Sequence, residues 1–331
     1  MTPAIQVSRT GGPEVLETVN ITAAEPGPGQ ATVQVAAAGV NFIDIYQRTG
    51  IYPRDLPFVP GSEGAGRVTA IGAGVTEALG IAVGDRVAWE SLPGSYAGAV
   101  TGPADRLVPI PDTVPDDQAA GMPLQGVTAH YLARDCYPIE PGDPVLIHAG
   151  AGGVGLLLTQ IAKILGGTVI STVSTQQKAE LSTAAGADHV IVGYDDFPSV
   201  VRDLTNGDGV AAVYDGVGKD TFEGSITSIR RRGTMVLFGG ASGQVPPFDL
   251  QRLNQLGSLS VTRPTIKDFA ATRAELVART DELFGWIADG RLQVRIGRSY
   301  PLAQAGTAHE DLAGRRTTGK LILLPGADDL K

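Results

Sequence analysis

The residues best suited to chemistry are Gly150-Ala151-Gly152-Gly153-Val154-Gly155, a G-x-G-x-x-G array. It follows the short apolar run Val145–Ile147 and opens the apolar segment Leu156–Leu165, so it falls on a strand–turn–helix passage. That context gives an otherwise weak pattern its meaning. The early glycines allow a sharp turn and let a pyrophosphate approach the backbone. The last lets the helix lie close to the strand. Free N–H groups and the dipole of the helix N-terminus then favour the charge of a diphosphate. The expectation is a dinucleotide site built from Gly150, Gly152, Gly153, Val154 and Gly155.

The choice of dinucleotide is read about 20 residues further on, where an NAD site places an acid on the ribose 2′-OH. Ser171–Lys178 (STVSTQQK) has no Asp or Glu. It offers hydroxyls and one ammonium, which suit a 2′-phosphate. Ser174 and Lys178 are therefore expected to select NADPH. Ser174 capping the next helix, with Lys178 solvated, is compatible with the same residues.

These residues need a scaffold, and the chain supplies alternating elements. After Gly142 strands are expected at 145–147, 168–173, 189–192, 210–214, 235–238 and 259–261, with helices at 156–165 and 178–185. Such alternation means a parallel sheet with helices on both faces. Ahead of it, 31–36, 66–71 and 84–88 read as short strands between turns, a compact all-β unit, with 116–133 helical. One long helix is expected over 268–288, then a final strand at 320–324. The outer domain is thus discontinuous.

Bulk composition sets limits. The 331 residues suffice for two domains. Net charge is −9, which argues against a chain whose main task is holding nucleic acid. The single cysteine, Cys136, permits neither an internal disulfide nor a multi-cysteine zinc site. No apolar run approaches the roughly 20 residues of a membrane helix, and no signal segment opens the chain. A cytoplasmic protein is expected.

Further stretches occur in a telling order: Gly11–Leu16 (GGPEVL), Ala38–Asp44 (AGVNFID), Pro60–Gly66 (PGSEGAG), Gly84–Val87 (GDRV), Ala149–Gly155 and Arg315–Lys320 (RRTTGK). Over nearly the full chain they resemble the medium-chain dehydrogenase/reductase superfamily, and within it the zeta-crystallin-like NADPH-dependent quinone oxidoreductases. The resemblance implies an α/β protein: a GroES-like β-rich catalytic domain over 1–123 and 267–331, and a Rossmann doubly wound parallel sheet over 124–266. It implies a quinone substrate bound in an interdomain cleft lined by Asn41–Tyr52. Asn41, Tyr46 and Tyr52 are nominated as donors to the quinone oxygens, and Asp44 to orient the nicotinamide ribose or Tyr46. Asn41 and Tyr46 are counted among the cofactor contacts too. The same resemblance assigns Tyr194, Gly216, Phe238, Gly239, Gly240, Ala241, Thr262, Arg263, Pro264 and Arg315 to the coenzyme. His130 and Gly216 stand where relatives commonly carry a tyrosine and a serine.

Zinc-using relatives carry a Cys where Asn41 stands and a His where Ser62 stands. A catalytic zinc needs three protein ligands, so no metal is expected. A quinone is electrophilic by itself and needs chiefly positioning and hydrogen bonds to developing oxygen charge. Reduction of an activated C=C bond in an enone or 2-alkenal is the alternative on the same scaffold. A crystallin-like or RNA-binding role is the non-enzymatic one. A homodimer is expected, with the late strands of the parallel sheet offering an edge.

Overall fold

The computed structural model describes residues 1–326. The chain forms two compact units: Met1–Gln125 with Thr272–Gly290 and the part from Val294 onward, and Gly126–Ala271 with Arg291–Gln293.

In the first unit run β1 (Thr2–Val7), β2 (Leu16–Ile21), β3 (Gln30–Val40), β4 (Gly64–Ile71), β5 (Arg86–Trp89), β6 (Ala99–Pro103) and β7 (Val108–Pro109). The second holds β8 (Pro144–Ile147), β9 (Thr168–Val173), β10 (His189–Val192), β11 (Val210–Asp215), β12 (Ile229–Leu237) and β13 (Ser260–Thr262). The chain then returns to the first unit with β14 (Ile296–Pro301) and β15 (Lys320–Leu324).

The first unit is a seven-stranded sheet in the order β14-β15-β3-β4-β5-β7, with β6 also on β3, beside the separate antiparallel pair β1–β2. Its core is built from alternate positions of these strands: Ala31 and Val33 meet Val87, Trp89, Leu321 and Leu323, all essentially water-free. Each such aliphatic side chain contributes about 1.5–3 kcal/mol on burial. The unit is not all-β. Helices Phe42–Arg48, Arg273–Ala288 and Ala305–Ala313 belong to it. The first was hidden because only seven residues, crowded with β-prone Phe, Ile and Tyr, form it.

The second unit is a six-stranded, all-parallel sheet in the order β10-β9-β8-β11-β12-β13. The order reverses between β8 and β11, and in such sheets ligands bind outside the carboxyl ends of the strands at that switch point. The single long helix expected over 268–288 is two. Ile266–Phe269 ends before Thr272, whose hydroxyl accepts from Glu275 N–H while Glu275 reaches back to Thr272 N–H and starts Arg273–Ala288. The short helix belongs to the second unit, where Phe269 stacks on Tyr131 with ring centroids 4.5 Å apart. The expected helix over 116–133 is likewise divided, into Asp116–Gly121 and Pro123–Tyr131. No helix of the described residues is long and apolar enough to cross a membrane.

Candidate active site and coenzyme cradle

The glycine array lies between β8 and the helix Gly153–Ile164, with Gly152 as its N-cap. Space rather than conformation demands these glycines. A Cβ on Gly150 would overlap the Ser171 hydroxyl on β9, and one on Gly155 would overlap the Ala149 carbonyl. The residue that turns with positive φ is Ala149, at 53°, so the sharp turn expected of the early glycines is made by an alanine. The first-turn amides of this helix have no intrahelical acceptor and open at the carboxyl end of the sheet.

At the end of β9 the helix Gln176–Ala184 is capped by Thr175, whose hydroxyl accepts from Lys178 N–H at 3.3 Å. The cap is therefore Thr175, not Ser174. Ser174 instead takes a hydrogen bond from Lys178 Nζ at 3.4 Å. The two residues expected to read a 2′-phosphate lie side by side, and no acid stands among Ser174–Lys178.

Several other coenzyme candidates lie at strand ends of the same sheet. Gly216 directly follows β11, and Phe238–Ala241 follows β12, with Phe238 N–H bonded to Asp215 O at 2.9 Å. A Cβ on Gly216 would meet the Phe238 ring at 2.8 Å, which accounts for the missing serine. Thr262 ends β13 and Arg263 is exposed beside it, while Pro264 is buried. Tyr194 follows β10, half-buried, 6.0 Å from the ring of His148. His130 is buried within Pro123–Tyr131. In the first unit Arg315 sits in a turn with φ of 54°, and its neighbour Arg316 is tied to Asp311 at 3.0 Å.

The candidate catalytic segment starts where β3 ends. Asn41 caps Phe42–Arg48, and Asp44 Oδ2 accepts from Asn41 N–H at 2.9 Å. The Asn41 side chain is buried and bonded within the first unit. Its Nδ2 donates to Glu63 Oε2 at 2.8 Å and to Gly39 O at 3.4 Å, and its Oδ1 accepts from Lys320 Nζ at 2.8 Å. Lys320 also pairs with Glu63, whose other oxygen accepts from Leu124 N–H at 2.7 Å. Both hydrogens of the Asn41 amide are used, so the expected donation to a quinone oxygen does not fit this geometry.

Asp44 is fully buried and bonds Tyr96, not Tyr46: Tyr96 OH donates to Asp44 Oδ2 at 2.9 Å. Beyond it Tyr96 lies 3.1 Å from His309 Nε2, and His309 Nδ1 lies 3.3 Å from Arg48 Nη1. Arg48 can only donate, so Nδ1 accepts and the His309 proton sits on Nε2. Burial and the nearby guanidinium hold His309 down to about 3, a neutral ring. Burial raises Asp44 to about 7, against the opposing pull of the Asn41 N–H, Tyr96 and Lys320. Asp44 Oδ1 has no partner.

Tyr46 and Tyr52 form an edge-to-face pair at 5.4 Å, and Tyr52 is 44% exposed. They are the two candidate donors nearest solvent. If Tyr46 donates to developing oxygen charge, Tyr46→Phe lowers turnover with 1,4-benzoquinone about tenfold or more. Wild-type turnover would remove the assignment.

Sequence patterns mark Glu63 and Lys320 inside PGSEGAG and RRTTGK without giving them a task. Tyr96, Arg48, His309, His148 and Asp215 carry no sequence signal, because their partners lie far apart in the chain.

Comparison with known proteins places this architecture. The alcohol dehydrogenase GroES-like domain matches residues 27–112 and the zinc-binding dehydrogenase domain matches residues 153–280. A quinone oxidoreductase of Pseudomonas aeruginosa is 45% identical over 328 residues, covering 98% of this chain and 100% of that protein. The chain belongs to the quinone oxidoreductases of the medium-chain dehydrogenase/reductase superfamily. The quinone oxidoreductase of Escherichia coli, in a crystal structure complexed with NADPH, superposes with a TM-score of 0.94 at 42% identity, covering 98% of this chain and 100% of that one. A 2-haloacrylate reductase from a Burkholderia species is 39% identical, over 99% of this chain and 100% of that protein.

The second domain's description implies zinc, and the residues here do not fit it. Asn41 and Ser62 offer neutral oxygen where three firm ligands are needed. The Lys320 ammonium already sits on Asn41 Oδ1 and Glu63, and a divalent ion there would be repelled. Among the described residues no group of three or more His, Cys, Asp or Glu side chains could hold a metal.

Proposed function

We propose that this chain is a zinc-independent NADPH:quinone oxidoreductase acting on small quinones. The observation that carries the reading is the glycine turn after β8 together with Ser174 and Lys178 after β9. The cradle is shaped for a diphosphate, and the absence of an acid at the second position favours a phosphorylated ribose. The quinone oxidoreductase relatives support the same substrate class. NADPH, when bound, supplies a hydride. The residues of the chain do the rest: amides beginning at Gly153 hold the diphosphate, Lys178 and Ser174 hold the 2′-phosphate, and Tyr46 and Tyr52 offer hydroxyls to quinone oxygen. Residues 238–241 and 262–264, with Tyr194, His130 and Arg315, complete the proposed coenzyme contacts.

The test is NADPH oxidation with 1,4-benzoquinone, ring-fused quinones and 2-alkenals side by side, with and without a chelator. Quinone turnover indifferent to chelator is expected. The 2-haloacrylate reductase relative favours activated-alkene reduction as the second reading, and much faster alkenal turnover would make it the first. Lys178→Ala should weaken NADPH about tenfold in a fluorescence titration and leave NADH unchanged, the worth of one charge-assisted hydrogen bond. Equal losses for both coenzymes would contradict the 2′-phosphate role.

The proposed protein is cytoplasmic and dimeric. β13 is one of the two edge strands of the parallel sheet, with Val261 41% exposed, and its edge is the proposed pairing surface. Sedimentation should give about twice the 34.2 kDa of one chain. A single-chain mass at working concentration would refute it.

A further inference from the structure

His148 is the last residue before the glycine turn, at the carboxyl end of β8, and only 1% of it is exposed. Nothing in the proposed chemistry uses it. Both ring nitrogens are nonetheless bonded, Nδ1 to Thr172 Oγ1 at 2.7 Å and Nε2 to Ser225 Oγ at 2.8 Å. Thr172 lies on β9 and Ser225 on the helix Phe222–Thr227. Ser225 Oγ in turn donates to Asp215 Oδ2 at 2.9 Å, at the end of β11.

The Ser225 hydroxyl has a single hydrogen, and that hydrogen is directed at Asp215 Oδ2. Ser225 must therefore accept from His148. The proton of His148 is on Nε2, and Nδ1 accepts from the Thr172 hydroxyl. Burial lowers the pKa of His148, against the opposing charge of Asp215, in keeping with a neutral ring.

Each end of this chain shapes a coenzyme loop. Asp215 Oδ1 accepts from Val217 N–H at 2.8 Å and Gly218 N–H at 2.9 Å, and Asp215 also takes the Thr221 hydroxyl, so it folds the loop that starts at Gly216. Thr172 is also tied to the glycine turn itself, because its carbonyl accepts from Gly150 N–H at 3.0 Å. It also lies two residues before Ser174. The His148 ring packs against Phe197, nearly perpendicular with centroids 4.8 Å apart, and against Tyr194 at 6.0 Å.

We propose that His148, as the neutral Nε2–H tautomer, is a positioning residue for the coenzyme, locking three strand-end loops into one register across the β8/β11 switch point. It touches no reacting atom. It joins the diphosphate turn, the 2′-phosphate strand and the loop after β11, so that all three present their donors together. This pre-arrangement avoids ordering the loops during binding. The inference rests on the dinucleotide reading of these loops.

The experiment is a fluorescence titration of the full-length protein with NADPH, with melting temperature measured on the same samples. His148→Phe keeps a planar aromatic ring, slightly larger than imidazole, and removes both hydrogen bonds. NADPH affinity should fall at least tenfold, and KM for 1,4-benzoquinone should stay within twofold. His148→Gln restores a donor toward Ser225 and should recover most of the affinity. Thr172→Val leaves the histidine in place and should cost three- to fivefold, which serves if the Phe variant does not fold. Wild-type affinity in both His148→Phe and Thr172→Val, with only a lower melting temperature, would overturn the inference. A wild-type protein that does not bind NADPH would instead overturn the dinucleotide reading beneath it.

Discussion

Lys320→Met should destabilise the first unit by about 3–5 kcal/mol, the effect of breaking a buried ion pair by removing one partner. Lys320 and Glu63 are 1% and 0% exposed. Without the ammonium, Glu63 keeps only the Asn41 amide and Leu124 N–H, and Asn41 Oδ1 loses its donor. A fall in melting temperature of roughly 10 °C or more should follow. The double variant Lys320→Met/Glu63→Gln carries no buried charge at this pair and should regain much of the loss, because the whole pair is worth less than either half alone. A double variant as unstable as the sum of its singles would show that the two charges do not act together.

Asp44→Asn should abolish a pH dependence of stability that the wild type carries. The folded protein holds the Asp44 proton up to about 7, whereas the ordinary value is 3.8. A folded pKa above the unfolded one means the contribution is complete below about pH 3.8 and is lost as pH rises through about 7. The span corresponds to an effect on the order of 4 kcal/mol at pH 8. The groups that face Asp44 are Tyr96, the Asn41 N–H, Lys320 and Glu63, and none of them is removed by this change. Asparagine imitates the protonated carboxyl, so denaturation midpoints of the variant should be flatter between pH 4 and 8 and higher than wild type at pH 8. Parallel curves for the two proteins would show that Asp44 stays ionised inside the fold.

Much of the second unit is legible in sequence because its signals are local. β9 and β10 fall on the expected residues, and the glycine array sits on its strand–turn–helix passage. Parallel strands buried on both faces write short apolar runs that need no partner to be recognised. The first unit is less legible. Its early helix is a single pair of turns, and its sheet joins strands from both ends of the chain, such as β15 against β3. The candidate donors show the same limit. Tyr46 and Tyr52 pair edge to face as neighbours on one short segment, but the tasks of Asn41 and Asp44 are set by Glu63, Tyr96 and Lys320, which sequence spacing does not bring near. Hydrogen-bond direction is equally non-local: the His148 tautomer follows from a carboxylate 67 positions away.

Gly39 adds a historical consequence. A Cβ at this position would collide with both the Glu63 carboxyl and the Lys320 side chain. Mutational drift therefore cannot sample these three sites independently. Enlarging Gly39 first needs a smaller acid, a smaller acid strands the cation, and neutralising the cation strands the acid. Lineages descending from this sequence are expected to keep the trio frozen or to exchange it as a set, so pairwise variation among descendants should be strongly epistatic here while the neighbouring surface evolves freely.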